Sequence, residues 1–355
     1  MESTFTVAAV QAAPVFLDLE ATVDKGIDLI EQAAARGVRL VGFPETWIPG
    51  YPFWIWLDPP AMGMRFVGRY HGNSLEVGGP AFLRIAEAAR ANDIAVVMGY
   101  SERAGGSLYM GQMLVDRDGR VVATRRKLKP THVERSVFGE GDGSDLAVHD
   151  LDVGRVGALC CWEHLQPLSK FAMYSQGEQL HVASWPSFSL YTGMAYALGP
   201  EVNLSASQLY AAEGGCYVIA SVATVSQAML DELGVSGERE ALLGLGGGHA
   251  MVFGPDGRPL AEPLAPDAEG LVIAAVDLGA IAVAKSVTDP AGHYARSDVT
   301  RLVLDPTRRR PVELVGAPTP PAEERAFKAS LDVDSALEVE RTEAGAAEME
   351  ETKAY

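Results

Sequence analysis

The feature that most constrains this chain is a repeated change of hydrophobic period. Two apolar runs, FTVAAVQ (5–11) and VRLVGFPE (38–45), enclose LEATVDKGIDLIEQAAARGV, whose apolar residues recur at helical spacing and which ends near Gly37. Short apolar runs flanking a segment of period 3.6 predict strand, helix, strand, a βαβ-like start. The pattern continues with GPAFLRIAEAARANDI as helix and IAVVMGYSE as strand. LYMGQMLVDRDGRVVATRRK (108–127) reads as a hairpin turning at Asp118-Gly119, a turn that supplies the positive φ two-residue hairpins need. GRVGALCC (154–161), EQLHVAS, CYVIASVATV and GLVIAAVDLGAI read as further strands. QPLSKFAMYSQG and VNLSASQLYAAEGG read as helices, and HAMVFGPDGRPLAEPL as a second hairpin around Asp256-Gly257. Alternating helices and strands indicate an α/β fold, and the interspersed hairpins make its sheets mixed.

This organisation runs unbroken over residues 1–290, one domain. Within it, DELGVSGEREALLGLGGGHA (231–250) is polar and Gly-rich and reads as a mobile surface loop. Residues 291–310 carry His293, Tyr294 and an arginine cluster, the mixed character of a docking segment. Residues 311–355 hold eleven acidic and four basic residues and read as an acidic, disordered tail.

The formal net charge is −18, which argues against binding a nucleic-acid backbone or an anionic membrane surface. The N-terminus has no basic, apolar leader, and no apolar run is long enough to span a bilayer. Three cysteines cannot build a disulfide framework, so a reducing cytoplasm is the expected location.

Two of those cysteines are adjacent, in CCWEHLQPL. If GRVGALCC is a strand, Cys160 and Cys161 point to opposite faces, one toward the core. A cysteine at a strand-to-helix turn lies near the positive end of a helix dipole, which favours thiolate and suits a nucleophile. Taken alone, the pair reads first as two buried structural cysteines; a Cys–His pair with His164 is the alternative, with only three residues across a sharp turn to set its geometry. A zinc site has no second ligand pair to complete it.

A thiolate also needs a base and a stabiliser of developing negative charge. GFPETWIPGYPFW places Glu45 at the end of a buried strand, where desolvation would raise its basicity. ATRRKLKPTHVER places Lys127 after the first hairpin. Arg125, Arg126 and Lys129 flank it, so alone this is equally a solvated basic turn.

A glutamate after GFPE, a lysine in RRKLKPTHVER and a cysteine in CCWEH occur in that order, each after a strand. Together they resemble the nitrilase (carbon-nitrogen hydrolase) superfamily over roughly residues 5–305. CCWEHLQPL resembles the nitrilase branch, and the run through SWPSF is similar to arylacetonitrilases. The resemblance implies a four-layer α-β-β-α sandwich of two mixed sheets. It implies Cys161 as nucleophile, Glu45 as general base, Lys127 (with the Trp162 backbone N–H) as stabiliser of the tetrahedral intermediate, and Glu134 as a second glutamate. It implies no metal and no organic cofactor. The partners it implies are a small nitrile, water and further copies of the chain, in dimers or in spiral or filamentous oligomers.

The activity so implied is hydrolysis of a nitrile to its carboxylic acid and ammonia. The alternatives are a cyanide-degrading relative, an amidase or carbamoylase of the same superfamily, or a catalytically silent binding protein. Aromatic residues of the Glu45 loop and of SWPSF, including Tyr51, Trp56, Trp185 and Phe188, are expected around the pocket and favour an aromatic or arylaliphatic nitrile. Trp162, His132, Glu163 and His164 are expected in or just behind that pocket. GHYARSDV (292–299) resembles a C-terminal motif in which proline commonly follows the arginine; Ser297 stands there instead.

Overall fold

The N-terminal unit forms as read. Strand β1 (Thr4–Ala12), helix α1 (Leu19–Ala34) and strand β2 (Val38–Gly42) make a parallel βαβ unit. Asp18 caps α1 by accepting from the Ala21 N–H, and Gly37, at φ 76°, turns the chain into β2. The computed structural model describes residues 3–309, so the segment read as a tail lies outside the described residues. Two helices, α2 (Trp54–Leu57) and α3 (Pro60–Gly72), precede α4 (Pro80–Ala91). Strands β3 (Ala95–Ala104), β4 (Ser107–Val115) and β5 (Val121–Arg126) form an antiparallel meander that contains the predicted hairpin. After short β6 (Phe138–Gly139) and β7 (His149–Leu151) come β8 (Gly154–Cys160), α5 (Pro167–Tyr174), β9 (Leu180–Trp185), α6 (Pro200–Gly214) and β10 (Tyr217–Ala223). Helix α7 (Gln227–Leu233), β11 (Met251–Phe253), β12 (Gly270–Asp277) and α8 (Ala280–Val287) complete the domain.

The strands group into two mixed sheets. One runs β12-β1-β2-β3-β4-β5 and the other β11-β10-β9-β8-β7. They join at one corner, where β1 and β10 pair only through Gln11 with Val222 and Ala12 with Ala223. Elsewhere they pack face to face. Val7, Ala9, Leu40 and Val97 meet Val156, Ala158, Val182 and Ile219 in one buried cluster. The approach is close enough that a Cβ on Gly42 would lie 2.7 Å from Val182. On the outer face of the first sheet, Val23 and Ile30 of α1 and Phe82 and Ile85 of α4 pack on Val10, Val41 and Met98. Helices α5 and α6 cover the second sheet. This is the α-β-β-α sandwich the resemblance implied. Each fully buried aliphatic side chain in it contributes roughly 1.5–3 kcal/mol.

One expectation needs correction. The stretch 231–250 is surface only in part: Glu232, Ser236, Glu238 and Leu245 are exposed, whereas Leu233, Val235, Leu243 and Ala250 are buried. Its glycines serve close packing, since a Cβ on Gly247 (φ 77°) would lie 2.3 Å from the Ser187 Oγ. The segment after α8 docks in part on its own chain. Ala291 and Leu302 pack against the core, and the Arg309 N–H donates to Asp142 Oδ2 at 2.7 Å.

Candidate active site

Three chain segments, each leaving the end of a strand, bring the proposed residues together. Glu45 lies three residues beyond β2, Lys127 one residue beyond β5, and Cys161 immediately after β8. All three are buried. Lys127 Nζ donates to Glu45 Oε1 at 2.9 Å and to Glu134 Oε2 at 2.8 Å. Glu134 sits in the 3-10 turn His132–Ser136, and its other oxygen accepts from the Tyr51 hydroxyl at 2.7 Å. That hydroxyl in turn accepts from Trp56 Nε1 at 2.9 Å. Glu45 Oε2 is buried with no hydrogen-bond partner, the one unpaired oxygen of this cluster.

The electrostatics follow from a cation shared between two carboxylates out of water. Burial raises the Glu45 pKa to about 8; Lys127 opposes the rise and Glu134 adds to it. Burial pulls Lys127 down, but Glu134 and Glu45 outweigh it, and the ammonium is held well above its ordinary range. Cys161 departs from expectation. Burial, followed by the Glu45 charge, pushes its thiol well up, against the pull of Lys127 and the Trp162 N–H. The strand opens into a 3-10 turn, Cys161–Leu165, and the first α-helix begins only at Pro167. There is thus no α-helix N-terminus at the sulfur to favour thiolate. Its φ is 47°, in the left-handed region, a strain of roughly 1–3 kcal/mol that surrounding structure must hold.

Cys160 faces the other way, as strand alternation requires. It is fully buried between the sheets, with Arg125 Nη1 3.8 Å from its sulfur. Arg125 is not part of a solvated turn. It forms a buried ion pair with both oxygens of Glu163 at 2.8 and 3.0 Å. Glu163 also accepts from the backbone N–H groups of Leu128 (2.9 Å) and Cys160 (2.8 Å). On its other side Arg125 donates to Gln112 Oε1 at 2.6 Å. Gln112 donates to the Ser184 Oγ, and Ser184 to the Phe43 carbonyl, both at 2.8 Å. The chain of contacts therefore touches the backbone beside each of Glu45, Lys127 and Cys161.

The cavity at Cys161 is lined by Tyr51, Phe53, Trp56, Glu134, Trp162, Trp185, Phe188 and Asn203, among others. Tyr51, Trp56, Trp162, Trp185 and Phe188 are therefore where the sequence placed them. The other three expected residues do not line the cavity but stand behind it. His132 is exposed and stacks on the outside of Trp56. Glu163 is turned to Arg125. His164 lies behind Cys161, its Nδ1 2.6 Å from the Cys161 carbonyl, its ring stacked on Trp185. Arg125, Gln112, Ser184, His181 and Asn203 were not anticipated. Among the described residues, no group of three or more His, Cys, Asp or Glu could hold a metal ion, and no helix is long and apolar enough to cross a membrane.

Residues 6–286 match the carbon-nitrogen hydrolase family. A nitrilase of Alcaligenes faecalis, described as arylacetone-specific, is 54% identical over 308 residues, 87% of this chain and 86% of the relative. An aliphatic nitrilase of Rhodococcus rhodochrous is 52% identical over 311 residues, 87% of this chain and 85% of the relative. A crystal structure of a carbon-nitrogen hydrolase from Helicobacter pylori G27 superposes with a TM-score of 0.64 at 19% identity, over 83% of this chain and 96% of that one, a likeness of fold. The chain belongs to the carbon-nitrogen hydrolase family, on its nitrilase branch.

Proposed function

We propose that this protein hydrolyses a nitrile to the carboxylic acid and ammonia through Cys161. The observation that carries the reading is the buried Glu45–Lys127–Glu134 cluster beside a cysteine that opens onto a cavity. Glu45 takes the Cys161 proton as sulfur bonds to the nitrile carbon and passes it to the nitrile nitrogen, giving a thioimidate and a free carboxylate. Glu45 then takes a proton from water, which adds to that carbon. Lys127 stabilises the tetrahedral intermediate, ammonia leaves, and a thioester remains. A second water releases the acid and restores the thiol. Expulsion of the thiol before ammonia gives an amide instead. Glu134, tied to Tyr51, keeps the Lys127 ammonium in place.

The aromatic lining favours an aromatic or arylaliphatic nitrile. A second reading, a short aliphatic nitrile, is favoured by the size of the cavity. It measures about 30 Å3, room for roughly two waters, so an aryl ring requires half-buried lining side chains to move aside. A panel of arylacetonitriles, short aliphatic nitriles, cyanide and matching amides, with acid, amide and ammonia quantified separately, tests both. Ammonia from arylacetonitriles and none from the amides is expected. Turnover of amides alone would overturn the nitrilase reading, and turnover of aliphatic nitriles or cyanide alone the aromatic preference.

A further inference from the structure

Behind Cys161, on the side away from the cavity, four buried polar side chains form a file. His164 Nδ1 lies 2.6 Å from the Cys161 carbonyl, and His164 Nε2 lies 2.9 Å from His181 Nε2. His181 Nδ1 lies 2.6 Å from Glu178 Oε1, and the Tyr210 hydroxyl donates to Glu178 Oε2 at 2.7 Å. None of the four is more than 1% exposed. The His181 and Tyr210 rings stack with centroids 3.9 Å apart. Space for the carboxylate is kept by Gly157, where a Cβ would lie 1.9 Å from Glu178 Oε1. The steps above use none of these groups, and water does not reach them, so each bond must be made within the file.

Counting protons fixes how the file works. The Cys161 carbonyl can only accept, so His164 Nδ1 carries a hydrogen. One proton must lie between the two Nε2 atoms, and one between His181 and Glu178. Three bonds therefore hold three protons. That number leaves the two imidazoles and the carboxyl with no net charge together, whichever atom each shared proton sits on. Burial and His181 together hold His164 well below the ordinary imidazole range, in keeping with a neutral ring that accepts from His181. The end of the file is one N–H aimed at the carbonyl of a residue held at positive φ.

We propose that His181 is a positioning residue for the nucleophile. Held by Glu178 and Tyr210, it fixes the tautomer and the place of His164, and His164 in turn holds the Cys161 backbone so that the sulfur faces the cavity. The role is one of hydrogen-bond direction and not of charge. In Glu178→Gln the side-chain amide can donate to His181 Nδ1 and accept from Tyr210, leaving every bond made with one of them reversed.

The inference rests on Cys161 as nucleophile, and the experiment keeps the two apart. His181→Leu, Tyr210→Phe, Glu178→Gln and Cys161→Ala are compared for kcat and KM per folded molecule on a hydrolysed nitrile. The rate of Cys161 alkylation by iodoacetamide is read by peptide mass spectrometry in all but the last. His181→Leu is expected to lose at least about tenfold in kcat and in alkylation rate with KM little changed. Tyr210→Phe should lose less, and Glu178→Gln should stay within about threefold of the parent by the same argument. If His181→Leu does not fold, Tyr210→Phe against Glu178→Gln decides. Parental kcat in His181→Leu, or in Tyr210→Phe where that pair decides, overturns the positioning role. A Glu178→Gln variant slower than Tyr210→Phe overturns the proton count. Turnover surviving in Cys161→Ala overturns the functional reading itself.

Discussion

Glu45→Gln should abolish turnover and, at alkaline pH, make the protein more stable. Burial raises the Glu45 carboxyl from 4.5 to about 8. An acid that holds its proton more tightly when folded opposes folding as it ionises. The cost is absent below about pH 4.5, grows up to about pH 8 and is constant above it. Each pH unit traversed between those limits is worth ~1.4 kcal/mol, so the full cost is about 5 kcal/mol. Between pH 6 and pH 9 the parent should therefore lose on the order of 2–3 kcal/mol from this group alone. The amide of the Glu45→Gln variant does not titrate, and its oxygen still accepts from Lys127. The assay is urea unfolding of parent and variant at pH 6, 7, 8 and 9, comparing the two at each pH so that other titrations cancel. The stability gap should open in favour of the variant by on the order of 2–3 kcal/mol across that range. A gap that stays flat, or that moves against the variant, would show that Lys127 keeps Glu45 ionised at all these pH values. The proposed reservoir of a raised-pKa base would then be gone.

Cys161→Ala should fold and be inactive, whereas Cys160→Ala, losing only a distant contact with Arg125, should keep measurable turnover; nitrile assays with circular dichroism on both check this. Lys127→Arg should lose roughly 10²–10³ in rate, because a planar guanidinium cannot sit between two carboxylates as a compact ammonium does, and steady-state kinetics measure it. Arg125→Met strands Glu163 as a buried unpaired charge and should cost roughly 3–5 kcal/mol in urea unfolding. Ending the chain after residue 310 should leave activity intact, while ending it before His293 removes the Leu302 packing and the Arg309 contact and should lower both stability and assembly. Light scattering with turnover assays on the two truncations tests that, and a fully active monomer lacking everything from Asp289 onward would refute it.

How legible this was in the sequence varied with how many faces of each strand are buried. The βαβ start and the first hairpin carried clear period changes and turn pairs, and they form as read; at Asp256-Gly257 the chain turns back, but its return arm makes only the single bridge of Pro259 to Phe253. Arg125 was misread as solvated although a signal was present. Along VVATRRK the alternation puts Val121, Ala123 and Arg125 on one face, and all three are buried while their neighbours are not. Read that way, Arg125 had to point inward and needed a buried anion. His181 gave no such signal. All six residues of β9 are buried, so alternation cannot say which face a polar one takes, and its partners Glu178 and Tyr210 come from a loop and a helix. The 3-10 turn at Cys161 was missed for a third reason. A strand-to-helix turn was inferred from hydrophobic period, which does not distinguish a five-residue 3-10 turn from the first turn of an α-helix.

The polar chain from Phe43 to Glu163 explains why such a site can be assembled from two separate sheets. Glu45 and Lys127 leave one sheet and Cys161 leaves the other. The interface between them is mostly small aliphatic side chains, whose attraction is non-directional and tolerates sliding. The sheets pair through only two residue pairs at one corner, far too little to fix the remaining strand ends to a few tenths of an ångström. Hydrogen bonds from Ser184 to Phe43, from Gln112 to Ser184 and from Arg125 to Glu163 are directional and out of water, so a slip of one sheet against the other would leave buried polar groups unpaired. Each such group costs roughly 1–3 kcal/mol, more for the charged pair, and several would be lost together. A buried ion pair that adds little net stability can thus still set the relative position of base, cation and nucleophile, and Arg125→Met should lower kcat per folded molecule as well as stability.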